Sequence, residues 1–395
     1  MTTIEAAPLT LDLVPGDEEQ QIRASVRRIT ESFGPAYMRD CHAAGKPPAE
    51  LWKALADNGF IGVNLPGEYG GGDLGLTGLH AVAEESAAAG GLLVMLVMSS
   101  GIAGPILAKH GTAEQKQRWL TGMADGSIKL SFAITEPEAG TNSHNLRTEL
   151  RSDGKGGYLL RGEKTFISGV DDADAVLVVA RTRGANGELG RPCLCIIDVD
   201  AAGFTRTVVP MPAFSADRQW TLFFDDVPVS ADRLVGGVDG GMTAVFDGLN
   251  PERILIASFA NGIGRRALEK ASAYVKERQV WGVPIGSHQA VAHPLAKAKV
   301  ELELARLMTQ KAAALVDANA EGAGEASNMA KYAAAEAAVH CVDAAIQAHG
   351  GNGFALEYGI SDMYWPARLF RTAPVSAEMI LNYVAQHSLR LPRSY

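Results

Sequence analysis

The stretch LSFAITEPEAGTNSHNLRT, residues 130–148, is where the chain changes character. A strand-like apolar run breaks there into a loop dense in Thr, Gly, Asn and Ser. Such a loop presents backbone N–H groups and hydroxyls together, beside an apolar wall. A planar cofactor edged with carbonyl oxygens and ring nitrogens needs that donor-rich, low-bulk surface, and flavin is one such cofactor. A hairpin connection in which Glu136-Pro137 and Ala139-Gly140 serve only turn geometry accounts for the same residues.

Outward from this stretch the chain falls into zones. From about Asp17 to Gly122, in DEEQQIRASVRRITESF, ELWKALADNGF, LTGLHAVAEESAAAGGLLVMLVM and TAEQKQRWLTGM, apolar residues recur at helical spacing. From Ile128 to about Leu234 the period is two, in YLLRGEKTFISG, ADAVLVVART, RPCLCIIDVD, GFTRTVVP and TLFFDDVPVS, split by turn signals such as SDGKGG. Long alanine-rich helices then run to about Leu389, and four with short connections predict an up-and-down bundle. The expected fold is α+β and multidomain: an N-terminal α-helical domain (1–127), a middle β-barrel or sandwich (128–237) and a C-terminal four-helix bundle (238–395).

At 395 residues the chain exceeds what one hydrophobic core usually serves, and 47% hydrophobic content supplies several. A net charge of −9 argues against nucleic-acid or anionic-membrane partners, which require basic surface. Cys41, Cys193, Cys195 and Cys341 are too scattered for a disulfide framework. Cys193 and Cys195 share one face of a strand, where core packing is expected and metal binding is not. The N-terminus has no basic segment leading an apolar one, so no secretory signal is expected and a cytoplasmic protein is. The apolar window from Leu92 to Met98 is interrupted soon after by Ser99, Ser100 and Gly101 and predicts a buried helix, not a membrane span.

The order of zones and four motifs resemble the acyl-CoA dehydrogenase family across nearly the whole chain. TEPEAGT is similar to the family's flavin signature, GEKTFISG to its second flavin-contacting strand, KERQVWGVPIGSHQA to its E-R-x-x-F-G-x-x-[IL]-x-x-x-Q run, and QAHGGNGF to its Q-x-x-G-G-x-G-[FY]. The resemblance implies FAD as cofactor, an acyl-CoA substrate and an electron-transfer flavoprotein as acceptor. It places Phe132, Ile134, Thr135, Thr141, Phe166 and Ser168 at the flavin, with Ser376 and Glu378 nearby and Thr141 also close to the thioester. Hydrogen bonds from Thr135 and the loop amides would stabilise the electron-rich reduced ring. Glu138 is expected to be solvated. Arg278, Trp281, Gln289, Gln347, Gly350 and Gly351 would take the ADP half, through a guanidinium fork and close backbone approach. In the family these segments reach a neighbouring subunit's flavin, which implies a homotetramer, a dimer of dimers. A surface arginine ending a helix and a glycine helix stop are the plainer alternatives.

Removing a proton alpha to a thioester requires a carboxylate in a dry pocket. Most members of the family supply a Glu near the C-terminal end, but here the segment is RLFRTAPVSAEM and Pro374 holds that position. The isovaleryl-CoA and long-chain branches instead use a Glu before Arg on the first long C-terminal helix. FDGLNPERILIA offers Glu252 before Arg253, so Glu252 is the expected base, with Phe246, Asn250 and Arg253 on the substrate side. Asn250-Pro251-Glu252 also reads as a plain helix start, with a cap, a first-turn proline and an acid at the positive end. Glu84 and Glu85 are rival acids whose helical neighbours suit salt bridging. Pro374 also lacks the N–H that in the family bonds the thioester carbonyl, so a neighbouring amide such as that of Val375 is expected to stand in. A flavin-dependent oxidase or monooxygenase on this scaffold, and a flavin-loaded protein without a base, remain alternatives.

Overall fold

The computed structural model describes residues 14–184, 186–212, 216–238 and 241–393. All but Val14 of the N-terminal segment read for a signal lies outside the described residues, as do Ser394 and Tyr395. Helices α1 (Asp17–Glu31), α2 (Tyr37–Ala44), α3 (Ala49–Ala56), α4 (Gly75–Ala89), α5 (Gly104–His110), α6 (Ala113–Gln115) and α7 (Thr121–Ala124) precede the sheet. Acids fill the first turn of α1 and Arg28 its last, matching the helix dipole, while Ile22, Val26 and Thr30 lie buried at four-residue spacing.

The run from Leu76 to Met98 is not one helix. α4 stops at Gly90, whose φ of 102° is open to glycine and costly for other residues. Leu92 and Leu93 cross beneath the surface without helical structure, and a buried segment with wide π-type turns follows over Leu96–Ala103. Among the described residues no helix is long and apolar enough to cross a membrane.

Strands β1 (Leu130–Ala133), β2 (Glu149–Ser152), β3 (Tyr158–Ser168), β4 (Ala175–Arg183), β5 (Leu189–Asp198), β6 (Phe204–Val209), β7 (Gln219–Val229) and β8 (Leu234–Val235) form one sheet. Its order is β6-β7-β3-β2-β4-β5-β8, and β1 pairs parallel with β4. β4 is buried from Ala175 to Ala180, the mark of a strand covered on both faces. On β5, Leu194 and Ile196 join the core shared with the helices. Cys193 and Cys195 face the sheet's own interior as free thiols. No group of metal ligands occurs among the described residues.

The C-terminal region is built on α8 (Gly241–Glu277), α9 (Gln289–Asp317) and α10 (Ala323–His349), with a small hairpin of β9 (Gln279–Val280) and β10 (Val283–Pro284) between the first two. After α11 (Tyr364–Leu369), the fourth member of the bundle is short, α12 (Ala377–Tyr383) continuing as π-type turns to Ser388. The plain helix-start reading of Asn250-Pro251-Glu252 is corrected here: α8 begins at Gly241 and Pro251 lies inside it. Neighbouring elements hold the helix through a residue that can donate no N–H bond.

α8 is anchored to the first helical region by close approach and by charge. A Cβ on Gly262 would meet the Glu84 carbonyl oxygen at 2.4 Å, so only glycine lets the two backbones come this near. Beside it, Glu84 and Glu85 are buried in a network with Arg23, Arg265 and Arg306 drawn from α1, α8 and α9. Both rival acids are thereby committed to ion pairing, as their helical setting suggested.

Candidate active site

The loop of residues 136–148 is held from below by a buried ion pair. Lys164 on β3 is fully buried, and its Nζ donates to Glu136 Oε1 at 2.8 Å and to the Ile134 carbonyl at 2.9 Å. The Glu136 carboxylate also accepts the N–H groups of Arg147 at 2.6 Å and Thr148 at 2.9 Å. Three donors hold it below the usual carboxylate range against the cost of burial. Sequence reasoning treated Glu136 as turn geometry and passed over Lys164. The missed signal was a lysine among the buried positions of GEKTFISG.

Above this anchor the residues expected at a flavin differ in what they expose. Phe132 is only 4% exposed and packs into the helical core, so its backbone, not its ring, borders the loop. Ile134 and Thr135 are half-buried, and the Thr135 carbonyl accepts the Thr165 N–H at 2.9 Å. Thr141 and Glu138 are exposed. A register shift between Lys164 and Ile167 turns Phe166 outward at φ 56° with 58% of its surface exposed. A large ring in that conformation is an outlier of the kind that gathers at functional sites. Ser168 donates its hydroxyl toward Gln219 Oε1 at 3.2 Å.

In the C-terminal region, α8 brings Glu252 to a half-buried position where its carboxylate makes no hydrogen bond or ion pair with any described residue. Burial raises it to about 7, opposed by the charges of Arg253 and Lys331. Arg253 donates from Nη1 to Asn250 Oδ1 at 2.9 Å, while its Nε is buried without a partner. Phe246, six positions earlier on α8, is 51% exposed. Lys331 on α10 is fully buried and donates to the Val375 carbonyl, next to Pro374. Ser376 caps α12 by accepting the Met379 N–H at 3.3 Å, and Glu378 is exposed in the first turn.

The remaining predicted residues form a separate cluster at the other end of the bundle. Arg278 closes α8, Trp281 sits in the hairpin, Gln289 opens α9, and Gln347, Gly350 and Gly351 end α10. Tyr274 links them, stacking on His349 at 4.2 Å and accepting from Asn352 Nδ2 at 3.0 Å. Gly350 does end the helix at φ 58°, yet a Cβ there or on Gly351 would meet nothing within 4 Å, so this backbone lies open. Arg278, Gln289 and Gln347 are exposed, and Trp281 is 88% exposed at φ 54°. Glu252 lies 25 positions before Glu277, the last residue of α8, about 37 Å at 1.5 Å per residue, and Arg278 follows directly after the helix.

Residues 16–127, 131–227 and 239–389 match the N-terminal, middle and C-terminal domains of acyl-CoA dehydrogenase. The acyl-CoA dehydrogenase FadE12 of Mycobacterium tuberculosis is 51% identical over 97% of this chain and 98% of its own. The 3-(aryl)acrylate reductase of Clostridium sporogenes is 30% identical over 95% of this chain and 99% of its own. Butyryl-CoA dehydrogenase of Megasphaera elsdenii superposes with a TM-score of 0.90 at 26% identity, covering 96% of this chain and 100% of that one. Glutaryl-coenzyme A dehydrogenase in complex with glutaryl-CoA gives 0.89 at 28% identity, covering 97% and 98%. The chain belongs to the acyl-CoA dehydrogenases, FAD enzymes that act as oxidoreductases on CH–CH groups.

Proposed function

We propose that the chain is an FAD-dependent acyl-CoA dehydrogenase that converts an acyl-CoA thioester to the trans-2-enoyl-CoA with Glu252 as base. The observation that carries this reading is the unpartnered Glu252 carboxylate, raised to about 7, with the orphaned Arg253 Nε beside it. A carboxylate so placed takes the α-proton at neutral pH, and burial strengthens it as a base. FAD, when bound, supplies the acceptor for the hydride that leaves the β-carbon and passes the electron pair on to an electron-transfer flavoprotein. Arg253 and Asn250 orient the CoA portion, and Phe246 borders its entrance.

The residues present suit FAD. Thr135, Ser168 and the loop amides after Glu136 offer donors for a polar ring edge, and Ile134 offers an apolar face. Arg278, which makes no ion pair with a described residue, and the open glycines at 350 and 351 suit a diphosphate. Because Arg278 lies just beyond the far end of α8, roughly 37 Å along the helix from Glu252, a homotetramer in which each chain completes its neighbour's cofactor site is the assembly that fits. Val300, Leu304 and Leu307, exposed along one stripe of α9, give the bundle apolar surface for such association.

Anaerobic titration of the flavin absorbance with straight and branched acyl-CoA thioesters tests the reading. Bleaching by at least one thioester is expected, with slow reoxidation in air and fast reoxidation by electron-transfer flavoprotein. Bleaching undiminished in Glu252→Gln would reject the base. Rapid reoxidation by air would favour an oxidase, and no bleaching by any thioester a protein without this activity.

A further inference from the structure

The Pro374 segment and Glu252 meet at one side chain that the reaction as described leaves unused. Lys331 lies in the third turn of α10 with none of its side chain exposed. The only acceptor found for its ammonium among the described residues is the carbonyl of Val375. Charges from several elements act on it: Arg253 and Glu252 on α8, Glu336 on α10 itself and Glu378 on α12. Glu336 is engaged by Arg371 at 2.7 Å and Glu378 is exposed; both act on the ammonium through their charge, ahead of Glu252, yet neither comes within ion-pair distance of it. A dry cation with a single neutral acceptor is an expensive way to pack a helix, since an apolar side chain of the same length would fill the space without losing hydration.

What the ammonium holds is informative. Pro374 has no N–H, and the next amide, that of Val375, has no acceptor among the described residues. Fixing the carbonyl of Val375 restricts the torsions of that residue and so the direction of its N–H. Burial drives Glu252 towards its neutral form, and Lys331 and Arg253 are the positive charges opposing this.

We propose that Lys331 is a positioning residue for α-proton abstraction, anchoring the Val375 carbonyl so that the free Val375 N–H bonds the thioester oxygen, and offsetting by its charge the burial of the Glu252 carboxylate. The inference rests on Glu252 being the base. In the step itself the Cα–H bond breaks, its proton passes to Glu252, and the negative charge moves onto the thioester oxygen, where the Val375 N–H receives it.

The test compares Lys331→Met and Lys331→Gln in the FAD-bound enzyme, with exchange of the substrate α-hydrogen into D2O read beside turnover. Lys331→Met removes both charge and donor. It is expected to keep its flavin and melting temperature, to lose about 10²–10³-fold in kcat and in α-exchange alike, and to move the acid limb of the kcat profile upward. Lys331→Gln keeps a donor for the carbonyl without the charge, so it should regain most of the rate while its acid limb stays displaced. A merely structural lysine would move flavin content and melting temperature but not the acid limb. Lys331→Met with kcat and acid limb like the wild type would overturn the proposal, as would a rate loss fully explained by lost flavin. Should Lys331→Met not fold, an unmoved acid limb in Lys331→Gln overturns it. Glu252→Gln run in parallel separates the two readings: if that variant still exchanges the α-hydrogen, the base assignment has failed, and if it does not, the Lys331 result stands by itself.

Discussion

Lys164 and Glu136 form an ion pair of 2.8 Å in which neither side chain is more than 6% exposed, and the loop that follows Glu136 hangs from it. Glu136 joins the end of β1 to Arg147 and Thr148, closing the loop, while Lys164 ties the same point to β3. Removing one member leaves the other buried without its counter-charge, which typically costs about 3–5 kcal/mol.

Lys164→Met is therefore expected to disorder the loop before it unfolds the sheet, because the surrounding strands keep their ladder bonds. The measurement is flavin absorbance per protein after purification, alongside far-UV circular dichroism. Loss of flavin with strand content retained is the expected result. Full flavin occupancy would mean that the ion pair does not shape the cofactor surface.

Glu252 gives a paired prediction for rate and stability. Its carboxyl must be ionised to accept a proton, so kcat/KM should rise as pH increases through about 7. Its folded pKa lies above the ordinary 4.5, so folding favours the protonated form. Its contribution to stability is fully present below 4.5 and is lost as pH rises through about 7. Glu252→Gln should consequently lose on the order of 10³-fold in kcat, yet gain stability at mildly alkaline pH by an amount on the order of 3 kcal/mol. Denaturant midpoints compared at mildly acidic and mildly alkaline pH check the second half. Equal midpoints for the two proteins under both conditions would place the carboxyl in water.

The period changes and motif spacings made the helix–sheet–helix order legible because each zone's apolar pattern follows directly from which faces it buries. Long-range pairing was not legible. Glu136 and Lys164 are 28 positions apart, and nothing local marks either as the partner of the other. Lys331 was hidden for a similar reason: one lysine in an alanine-rich helix reads as a solvated face, and only tertiary packing removes it from water. Asn250-Pro251-Glu252 carries every local mark of a helix start, yet Gly241–Glu277 runs through it because packing against α4 and α5 outweighs the proline. The Gly90-Gly91 break was legible in principle, since Gly90 supplies the left-handed residue that ends α4.

The charge network between α4 and the bundle predicts a different failure. Arg265 bridges Glu84 and Glu85, both nearly without solvent contact. Arg265→Met strands two carboxylates, with Arg23 and Arg306 left to neutralise them, so a loss of about 3 kcal/mol or more is expected. The loss should be larger at neutral pH than at acidic pH, because Glu84 is held well below the ordinary carboxylate range, to about 2. Chemical denaturation followed by tryptophan fluorescence measures it. An unchanged midpoint would mean that the remaining arginines suffice.

Trp281 and Arg278 carry the last prediction, since each is costly to leave as it stands in a single chain. Trp281 holds a positive φ with 88% of its surface in solvent, and Arg278 has no ion-pair partner among the described residues. A neighbouring subunit and its cofactor's diphosphate would cover the one and pair the other. Arg278→Ala should then release FAD without changing the assembly, because it removes a ligand contact at the rim. Trp281→Ser should weaken both assembly and FAD retention, because an exposed aromatic anchor contributes most where it becomes buried. Size-exclusion chromatography with light scattering, read together with flavin content, distinguishes the two. A monomeric wild-type protein that retains its FAD would show that one chain suffices and that these residues serve another purpose.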